Sequence, residues 1–350
     1  MNSLQELSRI PIKNIYYMLC YAWGHLNEKD LANISREDEK DIYHLLIRIL
    51  VVKLRTLISK GFYKEYKSEN EEMSLLRGKI LFSESVKSFS FNRGKMNCDY
   101  DELSTNILHN QIIKTTLNYL LKVKDLDSQF LEGIKQLYPY FSQVDVIKLN
   151  DAVFSKAKIF RSNHHYGFVL LICKYLYESL LLNEEEAETT FMDFWREPKK
   201  MARLFEDFVR NFYKKELLGF QVKRDRFYWD AEGEELSYLP IMETDISLEN
   251  KDIKWIIDTK FYQNTLYENY GRRKLISTNL YQLFAYLNNF KDTSWQEKKE
   301  LRGMLLYPQV GEELSLSYVI KGYPVKVATV DLNSGWKDIH NRLLGIVGEH

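Results

Sequence analysis

Two short runs decide how this chain is read: Glu243-Thr244-Asp245-Ile246, and a little further on Ile256-Ile257-Asp258-Thr259-Lys260. Alternate residues of a strand share a face. Asp258 and Lys260 therefore project together at the end of an apolar strand, while Trp255, Ile257 and Thr259 point the other way. A short turn around Glu249–Asp252 brings Asp245, on the preceding strand, back opposite Asp258. Two carboxylates converging with one ammonium suit phosphodiester hydrolysis. Carboxylate oxygens are the hard ligands Mg²⁺ prefers, and the metal polarises phosphate and activates water. The lysine orients that water and offsets charge developing in the transition state. An isolated Asp-x-Lys reads as a surface salt bridge; Asp245 at hairpin distance turns the reading toward catalysis.

Flanking residues extend the constellation. Glu206 lies on the amphipathic run Leu204-Phe205-Glu206-Asp207-Phe208-Val209, where it either binds a metal water or the lysine, or is an ordinary solvated glutamate. In Asn279-Leu280-Tyr281-Gln282-Leu283-Phe284-Ala285-Tyr286, Gln282 and Tyr286 stand at i and i+4 on one helical face with Asn279. That polar stripe contacts phosphate or the carboxylates, or else makes a buried-edge hydrogen bond. Arg272, Arg273 and Lys274 are either phosphate contacts or a solvated turn.

Outward from this centre the periodicity predicts helices near Lys200–Lys215 and Thr278–Asn289. Strands are expected at Ile241–Leu248, Ile253–Phe261, Gly303–Tyr307, Leu314–Ile320 and Val325–Val330, an α/β arrangement. Upstream, Asn14 is expected to cap a helix through Ile15, Met18, Leu19 and Ala22. Further helices are expected over Ile42–Leu57, Asn106–Leu121 and Tyr166–Leu182. Between Ser74 and Asp99, Arg77–Phe82 and Asn92–Lys95 read as strand ends and a turn. The acidic patch Asn183–Glu188 is the candidate boundary. It divides the chain into 1–187, a helical domain with a β insertion, and 188–350, the domain with the carboxylates.

Length and composition bound the rest. The 350 residues suffice for two domains, and 45% hydrophobic content excludes a largely disordered protein. Met1–Pro11 lacks a signal-peptide pattern, and no apolar stretch approaches the roughly 20 residues needed to span a bilayer. Cys20, Cys98 and Cys173 are far apart and show no CxxC spacing, which fits a reducing cytoplasm. Lys plus Arg and Asp plus Glu both number 49, so the chain has no cationic excess. Unaided DNA binding usually relies on such an excess. Either the chain does not bind nucleic acid, or something else holds the DNA for it.

Taken together the motifs resemble the McrC family, the nuclease subunits of McrBC modification-dependent restriction systems. The resemblance rests on Pro240–Ile246, Asp258-Thr259-Lys260-Phe261-Tyr262 and Asn279–Leu283. It is joined by Pro11–Trp23 at the start, by Arg77-Gly78-Lys79-Ile80, and by Asn106-Ile107-Leu108 through Ile112-Ile113-Lys114. It implies a C-terminal PD-(D/E)xK fold, a central mixed sheet flanked by helices. It also implies a catalytic triad of Asp245, Asp258 and Lys260, with Glu206 and Gln282 as accessory positions. The implied cofactor is Mg²⁺, held by Asp245, Asp258 and the backbone carbonyl of Thr259. The implied partner is an McrB-like AAA+ GTPase hexamer that reads methylated double-stranded DNA. GTP would be bound there and not by this chain, which has no GxxxxGK[ST]. The N-terminal domain would stimulate that GTPase, with Arg77, Lys79, Arg93 and Lys95 of the insertion as candidate contacts. Cutting both strands needs two active sites or two passes, so nuclease domains are expected to pair. A stand-alone RecB-like nuclease and a non-cleaving regulatory subunit are the alternatives.

Overall fold

The computed structural model describes residues 10–34, 41–124, 126–182, 189–191, 198–261, 266–269, 272–290 and 299–348. Two compact units emerge, Met1–Ile42 with Asp193–His350, and Tyr43–Met192. The patch Asn183–Glu188, expected as the boundary, lies outside the described residues. The larger correction is that the first 42 residues group with the C-terminal unit, not with the residues that follow them.

The reason lies in α1 (Ile12–Ala22). Its Ile15, Met18, Leu19 and Tyr21 are buried, and the Tyr21 ring lies 5.7 Å from Phe208, 5.4 Å from Phe212 and 5.7 Å from Trp336. Asn14 does not cap this helix. It sits inside it, and its amide donates at 2.9 Å to the carbonyls of both Leu332 and Ser334. A buried amide needs such partners, and here they come from the far end of the chain.

The unit Tyr43–Met192 begins in α2 (Ile42–Lys60) and projects a three-stranded antiparallel sheet of β1 (Glu65–Met73), β2 (Lys79–Ile80) and β3 (Met96–Ser104). β1 runs against β3 from Glu65↔Ser104 to Met73↔Met96. The span expected as strand ends and a turn also holds a helix, α3 (Phe82–Lys87). Arg77 lies over the Tyr100 ring at 4.6 Å, and Arg93 donates to Glu72 at 2.8 Å, so both are anchored within the insertion. Gly78 has φ +68°, and a Cβ there would lie 2.3 Å from the Asp99 carbonyl oxygen. Gly78→Ala is therefore expected to separate β2 from β3. Amide exchange at Ile80 should then accelerate at least about tenfold, while the helical core keeps its protection. The helices α4 (Leu108–Leu120), α5 (Ser128–Leu137), α6 (Asp151–Lys156) and α7 (Tyr166–Glu178) complete this unit, with α4 against α7. A hairpin of β4 (Leu180–Leu182) and β5 (Thr189–Phe191) ends it.

The other unit resumes with α8 (Pro198–Glu216), whose Met201, Leu204, Phe205, Phe208, Val209, Phe212 and Tyr213 form one buried stripe. Then come β6 (Gln221–Lys223), the paired β7 (Arg226–Phe227) and β8 (Met242–Glu243), β9 (Ile246–Glu249), β10 (Ile253–Thr259), and the hairpin of β11 (Leu266–Asn269) and β12 (Arg272–Leu275). The helix α9 (Ser277–Asn289), strands β13 (Glu300–Pro308), β14 (Ser315–Ile320) and β15 (Tyr323–Val330), and α10 (Trp336–Gly348) close the chain. The main sheet runs β14-β15-β13-β10-β9-β6. β10, β13 and β15 are parallel and the remaining pairs antiparallel, giving the expected mixed sheet. Ile256, Leu305 and Val327 on one face pack with Leu283, Tyr286 and Leu287 of α9. Gly303 lets that helix come close, since a Cβ there would stand 2.9 Å from Leu287 Cδ1. Among the described residues no helix is long and apolar enough to cross a membrane.

Candidate active site

The β9–β10 register places the two aspartates. The ladder ends at Ile246↔Ile257, so the next pair in register is Asp245 and Asp258. Asp245 stands at the bend between β8 and β9, just before the ladder begins. Its Oδ2 accepts the Thr259 backbone N–H at 2.8 Å and the Thr259 hydroxyl at 3.0 Å. The bend is held in place by Asp225. Its N–H donates to Thr244 Oγ1, and the Thr244 N–H returns a bond to its carbonyl, each at 3.0 Å.

Asp258 and Lys260 project on the same face of the strand as Ile256, toward α9. Asp258 is fully buried. Lys260 Nζ lies 2.8 Å from both of its oxygens but donates to Oδ1. Oδ2 is left buried without a hydrogen bond. Lys260 also donates to Gln282 Oε1 at 3.1 Å, and Gln282 Nε2 donates to the Tyr286 hydroxyl at 2.8 Å. The i, i+4 stripe expected on α9 thus faces the site. Asn279 does not share this role: it is buried and bonds the Tyr307 hydroxyl at 3.0 Å.

The electrostatics are those of crowded carboxylates. Burial lifts Asp258 to about 7, the Lys260 charge opposes this, and Asp245 and Glu206 add to it. Burial also raises Glu206, helped by the Asp245 charge and opposed by Arg224 and Arg210. Burial is again the main cause raising the Tyr286 hydroxyl, with the Asp258 and Asp245 charges contributing. Glu206 accepts bonds from Arg210 at 3.1 Å and from Arg224. Arg224, absent from the sequence reading, is therefore part of this neighbourhood. It follows the three-residue strand β6 and carries no motif, so only the tertiary pairing exposes it. Of the basic triplet expected as phosphate contacts, Lys274 is exposed. The side chains of Arg272 and Arg273, like Tyr262 of the motif, lie outside the described residues.

Among the described residues no three His, Cys, Asp or Glu side chains gather into a ready metal cage. The donor set nevertheless fits one hard cation. Asp258 is a buried carboxylate whose proton affinity is raised by that burial and further by the Asp245 and Glu206 charges, and a second carboxylate follows in register. Mg²⁺ commonly uses one or two carboxylates and keeps several waters.

The comparisons with known proteins agree with this architecture. The family described as McrBC 5-methylcytosine restriction system component matches residues 6–308. The Type IV methyl-directed restriction enzyme EcoKMcrBC of Escherichia coli (strain K12) is 31% identical over 344 residues, 97% of this chain and 98% of that protein. A refined half-complex from the tetradecameric assembly of Thermococcus gammatolerans McrB AAA+ hexamers with bound McrC matches with a TM-score of 0.60 at 18% identity. It covers 96% of this chain and 76% of the matched chain, and at that identity it speaks for the fold. This chain belongs to the family of McrBC 5-methylcytosine restriction system components.

Proposed function

We propose that this chain is the endonuclease subunit of a methylcytosine-dependent restriction complex, cutting duplex DNA with Mg²⁺ when joined to a GTP-hydrolysing AAA+ partner. The observation that carries this reading is the juxtaposition of Asp245, Asp258 and Lys260 across the β9–β10 register. The Asp245 and Asp258 carboxylates would hold the cation. Backbone alternation adds a third oxygen. The Lys260 N–H bonds β13, at Leu306 O, and the Thr259 N–H bonds Asp245, so the Thr259 carbonyl is directed to the Asp245 edge. Mg²⁺ there supplies polarisation of the phosphoryl group and neutralisation of its charge.

The protein's own part is positioning. Lys260 places an ammonium beside the carboxylates, where it orients the attacking water and offsets charge gathering on the phosphoryl oxygens. Hydrolysis makes one P–O bond to that water and breaks one to a sugar oxygen. Gln282 accepts from the ammonium on the other side, and Tyr286 in turn accepts from the Gln282 amide. Gln282→Ala is expected to slow cleavage about tenfold without weakening assembly with the partner, as loss of a supporting contact commonly does. Single-turnover cleavage with a parallel co-elution measurement checks this.

The resemblance to an McrC seen bound to McrB AAA+ hexamers supports a motor partner. The neutral net charge also fits, since a motor that grips DNA spares the nuclease a cationic field. The partner-stimulating role expected of 1–187 is assigned instead to Tyr43–Met192, because the earlier residues group with the nuclease unit. The functional test is cleavage of cytosine-methylated plasmid with Mg²⁺, with and without the cognate AAA+ protein and GTP. Cutting in the complete mixture only is expected. Cutting by this chain alone would instead mark a stand-alone nuclease. GTP hydrolysis stimulated without cutting would mark a regulatory subunit.

A further inference from the structure

Beside the carboxylates lies a chain of ion pairs that the site as described does not use. Glu206 accepts from two guanidinium groups, Arg210 at 3.1 Å and Arg224. Arg210 has a second partner in Asp207 on the same helix. Arg224 reaches Asp207 at 3.6 Å and Glu243 at 3.9 Å, both longer than its contact with Glu206. Glu243 in turn holds Arg226, its Oε2 accepting from Nε at 3.1 Å. The two arginines on Glu206 differ in setting. The Arg210 side chain is 18% exposed and that of Arg224 39%, so Arg224 is the one open to an incoming group.

Glu206 is not an isolated anchor: burial and then the Asp245 charge raise it, and its own charge adds to the lift on Asp258. If Glu206 gives up its partners, Arg210 retains Asp207, while Arg224 keeps only its longer contacts with Asp207 and Glu243. The residue after Arg224, Asp225, pairs with Thr244, the residue before Asp245, so Arg224 adjoins the aspartate site. A guanidinium is a planar fork of donors suited to phosphate, and its charge does not titrate away. A neighbouring carboxylate fills that fork until a phosphate replaces it.

We propose that Arg224 is a DNA-phosphate-binding residue of this site, held by Glu206 until a phosphate of the substrate backbone takes the carboxylate's place. The proposal rests on the nuclease reading above. It adds a substrate contact that neither the motif nor the comparisons assign.

The test uses the full chain assembled with its cognate AAA+ protein, a short cytosine-methylated duplex and Ca²⁺ in place of Mg²⁺, with binding followed by fluorescence anisotropy across a salt series. Each phosphate contact contributes about 0.9 to the slope of log K against log salt. Arg224→Gln is expected to weaken binding and reduce that slope by about one. Arg224→Lys keeps the charge and should keep the slope while binding less tightly than the native chain. Arg203→Gln on α8 serves as a control for a cation whose side chain is 85% exposed and 4.0 Å from Asp207. It should leave the slope unchanged. Thermal melts of each variant show that it is folded. The proposal is overturned by an unchanged slope in folded Arg224→Gln or by the same loss of slope in Arg224→Lys. Failure here is separable from failure of the nuclease reading. Loss of cleavage in Asp258→Asn with a normal salt slope in Arg224→Gln would sink only the arginine contact.

Discussion

Asp258→Asn and Lys260→Ala are each expected to lower DNA cleavage by the complete assembly on the order of a thousandfold, while stimulation of the partner's GTPase stays within about twofold. The size follows from what is removed. Asp258 is a fully buried carboxylate, so its amide isostere keeps the shape and loses the anionic oxygen a cation needs. Lys260 brings a positive charge to within 2.8 Å of that carboxylate, and a preorganised donor aimed at developing charge typically contributes 10²–10³-fold. The GTPase should be spared because neither residue belongs to the unit Tyr43–Met192. Cleavage and GTP turnover measured on the same preparations separate the two activities. If both variants cut at the native rate, the site is misassigned. If both lose GTPase stimulation as well, the damage is global.

The second large effect concerns pH. Asp258 is lifted to about 7, chiefly by burial. Above this pH the aspartate is ionised and ready for a cation. Below it a proton competes, and the Mg²⁺ concentration for half-maximal cleavage should rise about tenfold for each unit of pH lost between 7 and 5. The same shift has a stability consequence of opposite sense in the metal-free chain. Between the unfolded value of 3.8 and the folded value of about 7, the native state binds more protons than the unfolded one, so stability falls as pH rises through that window. Asp258→Asn removes the penalty. The metal-free variant is expected to melt a few degrees above the native chain at pH 8, with the gain vanishing below about pH 4. Saturating Mg²⁺ should close the gap from the other side by stabilising the native chain alone. A gain that does not change with pH would mean that the buried charge is not its source.

Much of this was legible because the nuclease half is locally consistent. Ile253–Thr259 is apolar but for Lys254 and its polar end, so the strand and the face shared by Asp258 and Lys260 follow from alternation. The hairpin turn fixes Asp245 opposite Asp258 by register alone. The α9 stripe is readable because i and i+4 residues must coincide on a helix. What escaped reading depends on tertiary partners. β1, Glu-Tyr-Lys-Ser-Glu-Asn-Glu-Glu-Met, is polar on both faces and shows no buried side to announce a strand; it exists by pairing with β3. Asn14 looks like a cap because nothing local reveals that its amide bonds Leu332 and Ser334. For the same reason sequence order put the first 42 residues in the wrong unit. Arg224 was invisible for want of a pattern: its meaning comes from Glu206, on another element.

The central claim is that Asp245 and Asp258 form a divalent-cation site, and Mn²⁺ soaked into crystals of the full chain tests it most directly. Anomalous scattering should place one Mn²⁺ in contact with both carboxylates, beside the Thr259 carbonyl, and the peak should disappear in Asp258→Asn. Mn²⁺ bound elsewhere in the native chain, or a peak that persists at this position in the variant, would contradict it.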